Sequence, residues 1–284
     1  MTPILLPVNS GRIAILGDLH HDRYRKARLD PFTMEGLAGL DWAALDALII
    51  AGDLADAPQL NWRPALDWLG RYLAPDKIFL LPGNHDYYGH ALGADPDLAA
   101  LAASRGARLV QKQALHYGDI RLLCCTLWTD FALLGDPEAA MLQAATAMLD
   151  YDRISRIKPG RSGNHLPITP EDTLALHRDH RAWLEAALAA PHFAGMRGRT
   201  AVVTHHGPHP LAAGPLNALA PAFHSDLGAL IDRYQPEVWF FGHSHHRLRA
   251  RVGATDLRNI ALGYPRENRV SGSQSLIEMC ILEL

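Results

Sequence analysis

Five short apolar runs, each followed within three residues by aspartate, asparagine or histidine, constrain this chain more than any other feature. They occupy residues 13–16, 47–51, 78–81, 201–203 and 238–241. Short apolar runs that end in turn residues are typical of strands buried on both faces of a sheet. In open α/β sheets, ligands gather beyond the carboxyl ends of such strands. We therefore expect the polar residues after the five runs to meet in one site.

The polar residues after the runs are of the types that bind metal ions. Asp18 and His20 stand two positions apart, as do His243 and His245. In an extended chain, residues at this spacing point the same way, so each pair can reach one cation. The remaining candidates come directly after a glycine or at the end of an apolar run. The candidate metal ligands are Asp18, His20, Asp53, Asn84, His205, His243 and His245.

Seven ligands are too many for one cation but suit two cations that share a bridging carboxylate. Mixed oxygen and nitrogen ligation without thiolate favours manganese, iron or zinc over a structural zinc of the cysteine type. Two neighbouring cations can stabilise attacking and leaving oxygens together and can lower the pKa of a water between them. The 16 histidines of the chain strengthen the case for a metal site.

The composition is that of an ordinary globular protein, with 48% apolar and 20% charged residues in 284. Sandwiches of two sheets reach this length undivided, so we expect one domain over residues 1–284. The formal charge of −3 provides no overall attraction for nucleic acid, which disfavours it as a partner. The sequence leaves the oligomeric state open.

The chain lacks the features of exported and membrane proteins. The first residues show no basic segment followed by a long apolar one, and no stretch approaches the ~20 apolar residues of a membrane helix. The three cysteines suit a reducing compartment. We therefore expect a cytoplasmic protein without a membrane contact.

Residues 130–170 are the part least typical of strands, and we interpret them as an insertion of helix and loop, a candidate cap over the active site. Within it, residues 153–161 are basic and irregular, which fits either a substrate lid or a solvated loop. Elsewhere, apolar spacing predicts helices at residues 61–73 and 170–190. The last three segments, residues 247–252, 256–262 and 275–282, are expected to be strands.

The polar blocks resemble those of a known family. Asp18 to His245 covers most of the chain, and five blocks occur in that span in the family's order. They are similar to the blocks of the calcineurin-like metallophosphoesterases: Gly17-Asp18-x-His20, Gly52-Asp53-x-x-Asp56, Gly83-Asn84-His85-Asp86, Thr204-His205 and Gly242-His243-x-His245. His205 is preferred to His206 because it ends its strand as the ligand of that family does. Asp86 stands where many members carry glutamate.

The resemblance implies an α/β fold, a four-layer αββα sandwich of two mixed β-sheets flanked by helices. It also implies how the ligands are shared between two divalent ions, with Asp53 as the bridge. The first ion would be held by Asp18, His20, Asp53 and His245. The second would be held by Asp53, Asn84, His205 and His243.

The resemblance further implies a reaction in which a metal-bridging hydroxide attacks phosphorus. His85 would be the general acid for the leaving oxygen. Asp86 would accept a hydrogen bond from the His85 ring and set its tautomer. Asp56 is interpreted as a turn or hydrogen-bonding residue rather than a ligand. Tyr264 and Arg266 are further candidates for the mouth of the site.

The sequence therefore predicts a dinuclear metal-dependent phosphoesterase for a small phosphodiester or phosphomonoester. Manganese is the expected metal, with iron or zinc as alternatives. A nuclease is the alternative enzyme, against which the absence of a strongly basic composition argues. A non-catalytic binding scaffold on the same fold is the other alternative, and it would be expected to have lost ligands that this chain retains.

Overall fold

The computed structural model of the protein describes residues 3–34, 36–157, 166–192, 198–267 and 275–284. The strands in these residues are β1 (Ile4–Leu5), β2 (Arg12–Leu16), β3 (Ala47–Ala51), β4 (Ile78–Leu81), β5 (Arg108–Leu109), β6 (Gln113–Tyr117), β7 (Ile120–Cys125), β8 (Arg199–Thr204), β9 (Val238–Phe241), β10 (Arg249–Val252), β11 (Thr255–Asn259) and β12 (Ile281–Glu283). One sheet has seven strands in the order β1-β6-β7-β8-β9-β11-β10, and the other has five in the order β12-β2-β3-β4-β5.

Helices cover the outer faces of the sheets. Those in the described residues are α1 (His21–Ala27), α2 (Pro58–Leu69), α3 (Asp95–Ala103), α4 (Pro137–Ala147), α5 (Asp150–Arg153), α6 (Pro170–Ala189), α7 (Ala220–Phe223), α8 (Gly228–Tyr234) and α9 (Leu276–Cys280). Among them, none has the length and apolar character that crossing a bilayer requires.

The five apolar runs of the sequence are the strands β2, β3, β4, β8 and β9. Strands β2, β3 and β4 are parallel neighbours in the smaller sheet, and β8 and β9 are parallel neighbours in the larger one. Parallel neighbours end at the same edge of a sheet. The polar residues that follow each set therefore emerge together.

Alternating side chains divide the interior into layers. Leu122 and Cys124 of β7 belong to the hydrophobic cluster that also contains the strands of the smaller sheet. Leu123 and Cys125 point the other way and pack with Leu184 of α6. Helices α2 and α3 pack against the opposite face of the smaller sheet. The expected four-layer αββα sandwich of two mixed sheets is confirmed.

The two sheets meet at the edge where the polar residues emerge. Gly17, directly after β2, donates its N–H to the carbonyl of Ile260, 3.1 Å away, and accepts from the N–H of Leu262 at 2.9 Å. Ile260 in turn donates to the carbonyl of Phe241, at the end of β9, at 2.8 Å. These bonds join the carboxyl ends of β2 and β9, although the strands belong to different sheets.

The insertion contains α4 and α5, and its later part is attached to the segment after β4. Gly89 donates to the carbonyl of Arg153 and Leu92 to that of Ser155, both at 2.8 Å. The proposed lid, residues 153–161, lies partly outside the described residues, since these stop at residue 157 and resume at 166. The described part places Arg153 at the site.

Two elements differ most clearly from their predictions. Helix α2 begins at Pro58 rather than near Asn61, because proline suits the first turn and the Asn61 side chain donates instead to the Asp56 carbonyl, at 2.6 Å. The segment expected as a strand at residues 275–282 starts as the helix α9 and only then becomes β12. Short apolar segments of this kind fit either structure.

Candidate metal centre

The structure brings all the predicted ligands together at the joined edge of the two sheets. Within the described residues, three groups of side chains place one potential ligand atom each within 4.8 Å of one another. The groups are Asp18 with His20 and His245, Asp53 with His205 and His243, and His20 with Asp56 and His85. Asn84 adjoins the second group, since its Oδ1 lies 3.0 Å from His205 Nε2.

Asp53 lies between the first two groups. Its Oδ2 is 3.7 Å from His20 Nε2, and its Oδ1 is 3.5 Å from His205 Nε2. In the first group, His245 Nε2 lies 3.1 Å from His20 Nε2 and 3.2 Å from Asp18 Oδ1. Each oxygen of the Asp53 carboxylate therefore faces a different set of imidazole nitrogens.

The backbone is strained where the ligands emerge. The φ angles are 56° at Asp18, 38° at His20, 59° at Asp53, 66° at His243 and 52° at His245. A left-handed conformation at a residue other than glycine costs of the order of 1–3 kcal/mol, and such residues cluster at functional sites. The turns direct these side chains inward, against local backbone preference.

Three of the glycines before the ligands, Gly52, Gly83 and Gly242, are required by close approach. A Cβ atom at Gly83 would overlap the carboxylate of Asp53, and one at Gly242 would overlap that of Asp18. Glycine is the residue that allows a backbone this close to another group. Gly83 and Gly242 are thus part of the space in which the ligands meet.

Burial disfavours the charged forms of Asp53, His20 and His243. Burial, together with the negative charges of Asp18 and Asp86, raises the pKa of Asp53 well above its usual range. Burial, followed by the positive charge of neighbouring imidazoles, lowers the pKa of His20 and His243 well below theirs. Neutral imidazoles and crowded carboxylates are what a cation site requires.

Two buried nitrogen atoms add to this picture. His243 Nε2 and His20 Nδ1 have no hydrogen-bond partner in the described structure. His205 is oriented by a contact of 3.0 Å between its Nδ1 and the Ala51 carbonyl, which leaves Nε2 facing Asp53. A histidine that binds metal through one ring nitrogen is usually oriented by a hydrogen bond at the other. The donor set therefore fits divalent cations.

The predicted hydrogen bond between Asp86 and His85 is wrong. Asp86 is buried and accepts from the N–H groups of Asp53 at 2.8 Å and Gly83 at 2.9 Å, and from Trp62 Nε1 at 2.9 Å. These interior donors take up both oxygens of the carboxylate. Asp86 thus ties together the loops after β3 and β4.

His85 has Asp56 as its partner instead. His85 Nδ1 lies 2.6 Å from Asp56 Oδ1, while Arg23 Nη2 is 2.7 Å from Asp56 Oδ2. Arg153 Nη1, from α5, is 3.6 Å from the same oxygen. Burial opposes ionisation of Asp56, but its contacts with His85 and Arg23 lower its pKa overall. Asp56 is therefore the hydrogen-bonding residue that its place in the second block suggested.

Asp150 is a further residue of the site, one that the sequence alone left undecided. It is 2% exposed and accepts from the hydroxyl of Tyr88 at 3.2 Å. Burial raises its pKa, which His85 and the Asn84 side chain partly offset. The Tyr88 ring lies over His85, with centroids 4.2 Å apart. No pattern around Asp150 signals this position, because α5 is a single turn that only the fold brings to Asn84.

The predicted mouth residue Tyr264 lies against the ligands. Its ring centroid is 4.4 Å from that of His20 and 4.8 Å from that of His245. His206, which the sequence preferred less than His205, is buried and has its ring 4.3 Å from that of His243. It packs behind the ligands rather than opening towards solvent.

Comparison with known proteins places this geometry in context. No curated protein matches the sequence. The family model for calcineurin-like phosphoesterases matches residues 11–247. Phosphopantetheinyl hydrolase from Mycobacterium tuberculosis is similar in structure, with a TM-score of 0.66 and 17% identity over 97% of each chain. The protein TT1561 of Thermus thermophilus has a TM-score of 0.46 and 12% identity over 95% of this chain and 96% of its own.

The likeness to solved structures is one of fold, whereas the family match is one of sequence and spans most of the chain. The matched residues begin before Asp18 and end after His245, so they include every predicted ligand and His85. The chain belongs to the calcineurin-like phosphoesterases, a family of metal-dependent phosphoester hydrolases.

Proposed function

We propose that the protein hydrolyses a small phosphodiester or phosphomonoester at a centre of two divalent ions. Asp18, His20, Asp53 and His245 hold one ion, and Asp53, Asn84, His205 and His243 hold the other. The observation that carries this proposal is the position of Asp53, whose two carboxylate oxygens face separate groups of imidazoles. When bound, the ions supply positive charge that stabilises the phosphoryl group and lowers the pKa of a water.

His85 protonates the leaving oxygen in this proposal. Its Nδ1 is taken up by Asp56 at 2.6 Å, which leaves Nε2 to face the substrate. The Asp56 carboxylate stabilises the imidazolium that donates its proton, and it keeps the remaining proton on Nδ1 afterwards. Arg23 and Arg153 hold Asp56 in place from the other side.

Manganese is the proposed metal, with iron and zinc as alternatives, because the donor set mixes carboxylate, amide and imidazole without thiolate. The name of one structural neighbour, phosphopantetheinyl hydrolase, recommends a phosphopantetheinyl compound as one member of a substrate panel. A nuclease remains the alternative activity, and single-stranded DNA and RNA belong in the same panel.

Metal analysis coupled to that panel tests the proposal. The purified protein is stripped with a chelator, loaded with manganese, iron or zinc, and assayed on bis-p-nitrophenyl phosphate and p-nitrophenyl phosphate. We expect metal-dependent release of p-nitrophenol from at least one of the two. A protein that stays inert with each metal in excess on every member of the panel would contradict the proposed function and favour the scaffold.

A further inference from the structure

A cleft of about 740 Å³ opens beside the metal centre, between α1 and residues 264–267. Arg23 and Lys26 line it from the helix, and Tyr264, Arg266 and Glu267 line it from the other side. Neither the family blocks nor the proposed metal ligands account for these residues.

The charges in the cleft do not cancel. Arg23 is paired with Asp56 at 2.7 Å and with Asp22 at 3.4 Å. Glu267 is occupied by His245 Nδ1 at 2.8 Å and by the N–H of Tyr264 at 2.7 Å. Lys26 and Arg266 are exposed and have no ion pair or hydrogen bond in the described part of the chain. Two positive charges are therefore left facing the cleft.

Among the described residues, the cleft at the site has two cations without an ion pair, whereas the other arginine-rich cleft has one, Arg251. This other cleft, of about 590 Å³, lies at the far edge of the sheets. There Arg12 pairs with Glu283, Arg199 with Glu237 and Arg249 with Asp256. The paired arginines have their charge largely neutralised, whereas Lys26 and Arg266 remain available to an anionic ligand.

The cleft begins where the leaving group would depart. The Tyr264 ring, which forms its wall, lies 4.4 Å from the ring of His20 and 6.5 Å from that of His85. Arg23, on the opposite side, shares the Asp56 carboxylate with His85. A group attached to the oxygen that His85 protonates would thus lead between Tyr264 and Arg23 into the cleft.

We infer that the cleft binds a second phosphate, carried by the leaving-group half of the substrate. The inference rests on the proposed function, because it takes the position of the leaving oxygen from the role of His85. The guanidinium of Arg266 can bind two phosphate oxygens at once, and the ammonium of Lys26 adds a flexible point charge. The substrate class is a phosphate ester whose departing half is itself phosphorylated.

Matched inhibitors that differ by one phosphate test the inference. Adenosine 3′,5′-bisphosphate and 5′-AMP are compared as inhibitors of bis-p-nitrophenyl phosphate hydrolysis by the full-length, manganese-loaded protein. We expect the bisphosphate to bind more tightly by roughly five- to tenfold, the gain of charge-assisted hydrogen bonds at an exposed site. In the double variant Lys26→Gln/Arg266→Gln, the ratio of the inhibition constants falls to about one.

Arg251→Gln provides the matched control, because Arg251 is an exposed arginine of the far cleft without an ion pair in the described residues. It should leave the ratio unchanged. A wild-type protein that does not discriminate the two nucleotides, or a double variant that still does, overturns the inference. If no member of the substrate panel is hydrolysed with any metal, the proposed function fails. Calorimetric binding of the same two nucleotides then tests the cleft independently, by the same ratio.

Discussion

His85 and Asp53 are in contact, yet their loss should have different effects. The N–H of His85 donates to Asp53 Oδ1 at 2.9 Å, but the His85 ring is not among the proposed ligands. We predict that His85→Ala keeps its metal and loses turnover by about 10²- to 10⁴-fold, the usual contribution of a general acid. Asp53→Ala should lose metal instead, because it lacks the shared carboxylate. Metal content after dialysis, measured together with kcat, distinguishes the two variants. Equal loss of metal from both would contradict these separate roles of His85 and Asp53.

Asp56 and Asp86 should also differ, in the opposite sense from the sequence prediction. Asp56→Asn keeps its metals but turns over about 10- to 100-fold more slowly, because the His85 ring loses its charged partner. Asp86→Asn lowers the free energy of unfolding by about 1–3 kcal/mol, since an amide N–H would face backbone donors that now bind a carboxylate. Measurement of kcat checks the first prediction, and urea denaturation checks the second. A stable Asp86→Asn protein with the kinetic defect of Asp56→Asn would restore the original assignment.

Among the elements, the turn after β4 has no room for an added methyl group. At Gly83 a Cβ atom would displace the Asp53 carboxylate and the His205 ring. We predict that Gly83→Ala weakens manganese binding by about 10- to 100-fold, an effect typical of disturbed ligand support. Gly70→Ala is the control, because a Cβ there meets the Leu66 carbonyl at an ordinary 3.4 Å. Calorimetric titration with manganese should find normal affinity in Gly70→Ala. Equal affinities in Gly70→Ala and Gly83→Ala would refute the prediction.

The strands that carry the ligands could be predicted because their signal is local. A strand buried on both faces reads as a continuous apolar run, and β3, with its five buried residues, is such a case. The residues after it, Gly52 and Asp53, are turn and ligand types, so the site could be placed at the strand end. The αββα layering came from the family resemblance rather than from periodicity.

The errors occurred where geometry depends on contacts that are distant in sequence. Asp56 and Asp86 are each the last residue of a ligand block, and only the direction of the turn decides which reaches His85. Asp150 comes to Asn84 because α5 is bonded to the segment after β4, through Gly89 and Arg153. Such positions carry no periodic pattern that a sequence could reveal.

At the scale of the whole molecule, the site exists only while the two sheets stay together. Asp18 and Asp53 follow strands of the smaller sheet, and His205 and His243 follow strands of the larger one. Ligands that bind only the folded state stabilise it, by about 2.7 kcal/mol at a hundredfold excess over Kd. Metal binding should therefore report on the assembly of both sheets at once.

The stability of the whole fold should fall in mild acid, and His180 gives a place to test this away from the metal centre. His180 accepts from the Leu127 N–H at 3.1 Å, and burial lowers its pKa from 6.5 to about 4. Between these values the unfolded chain binds a proton that the folded chain excludes, so stability decreases as pH falls.

When the pH is lowered from 7 to 5, His180 should reduce the free energy of unfolding by about 2 kcal/mol. Urea denaturation of the metal-free protein at both pH values measures the loss, and His180→Gln should show a loss smaller by that amount. The same pH dependence in the variant and the wild type would mean that His180 does not contribute.

The central claim is that Asp53 joins two ions held by separate groups of ligands. A crystal structure of the manganese-loaded protein, with an anomalous difference map recorded at a wavelength where manganese scatters, tests it most directly. We predict two peaks, one on each side of the Asp53 carboxylate, the first beside His20 and His245 and the second beside Asn84 and His205. A single peak, or peaks that do not touch Asp53, would contradict the account.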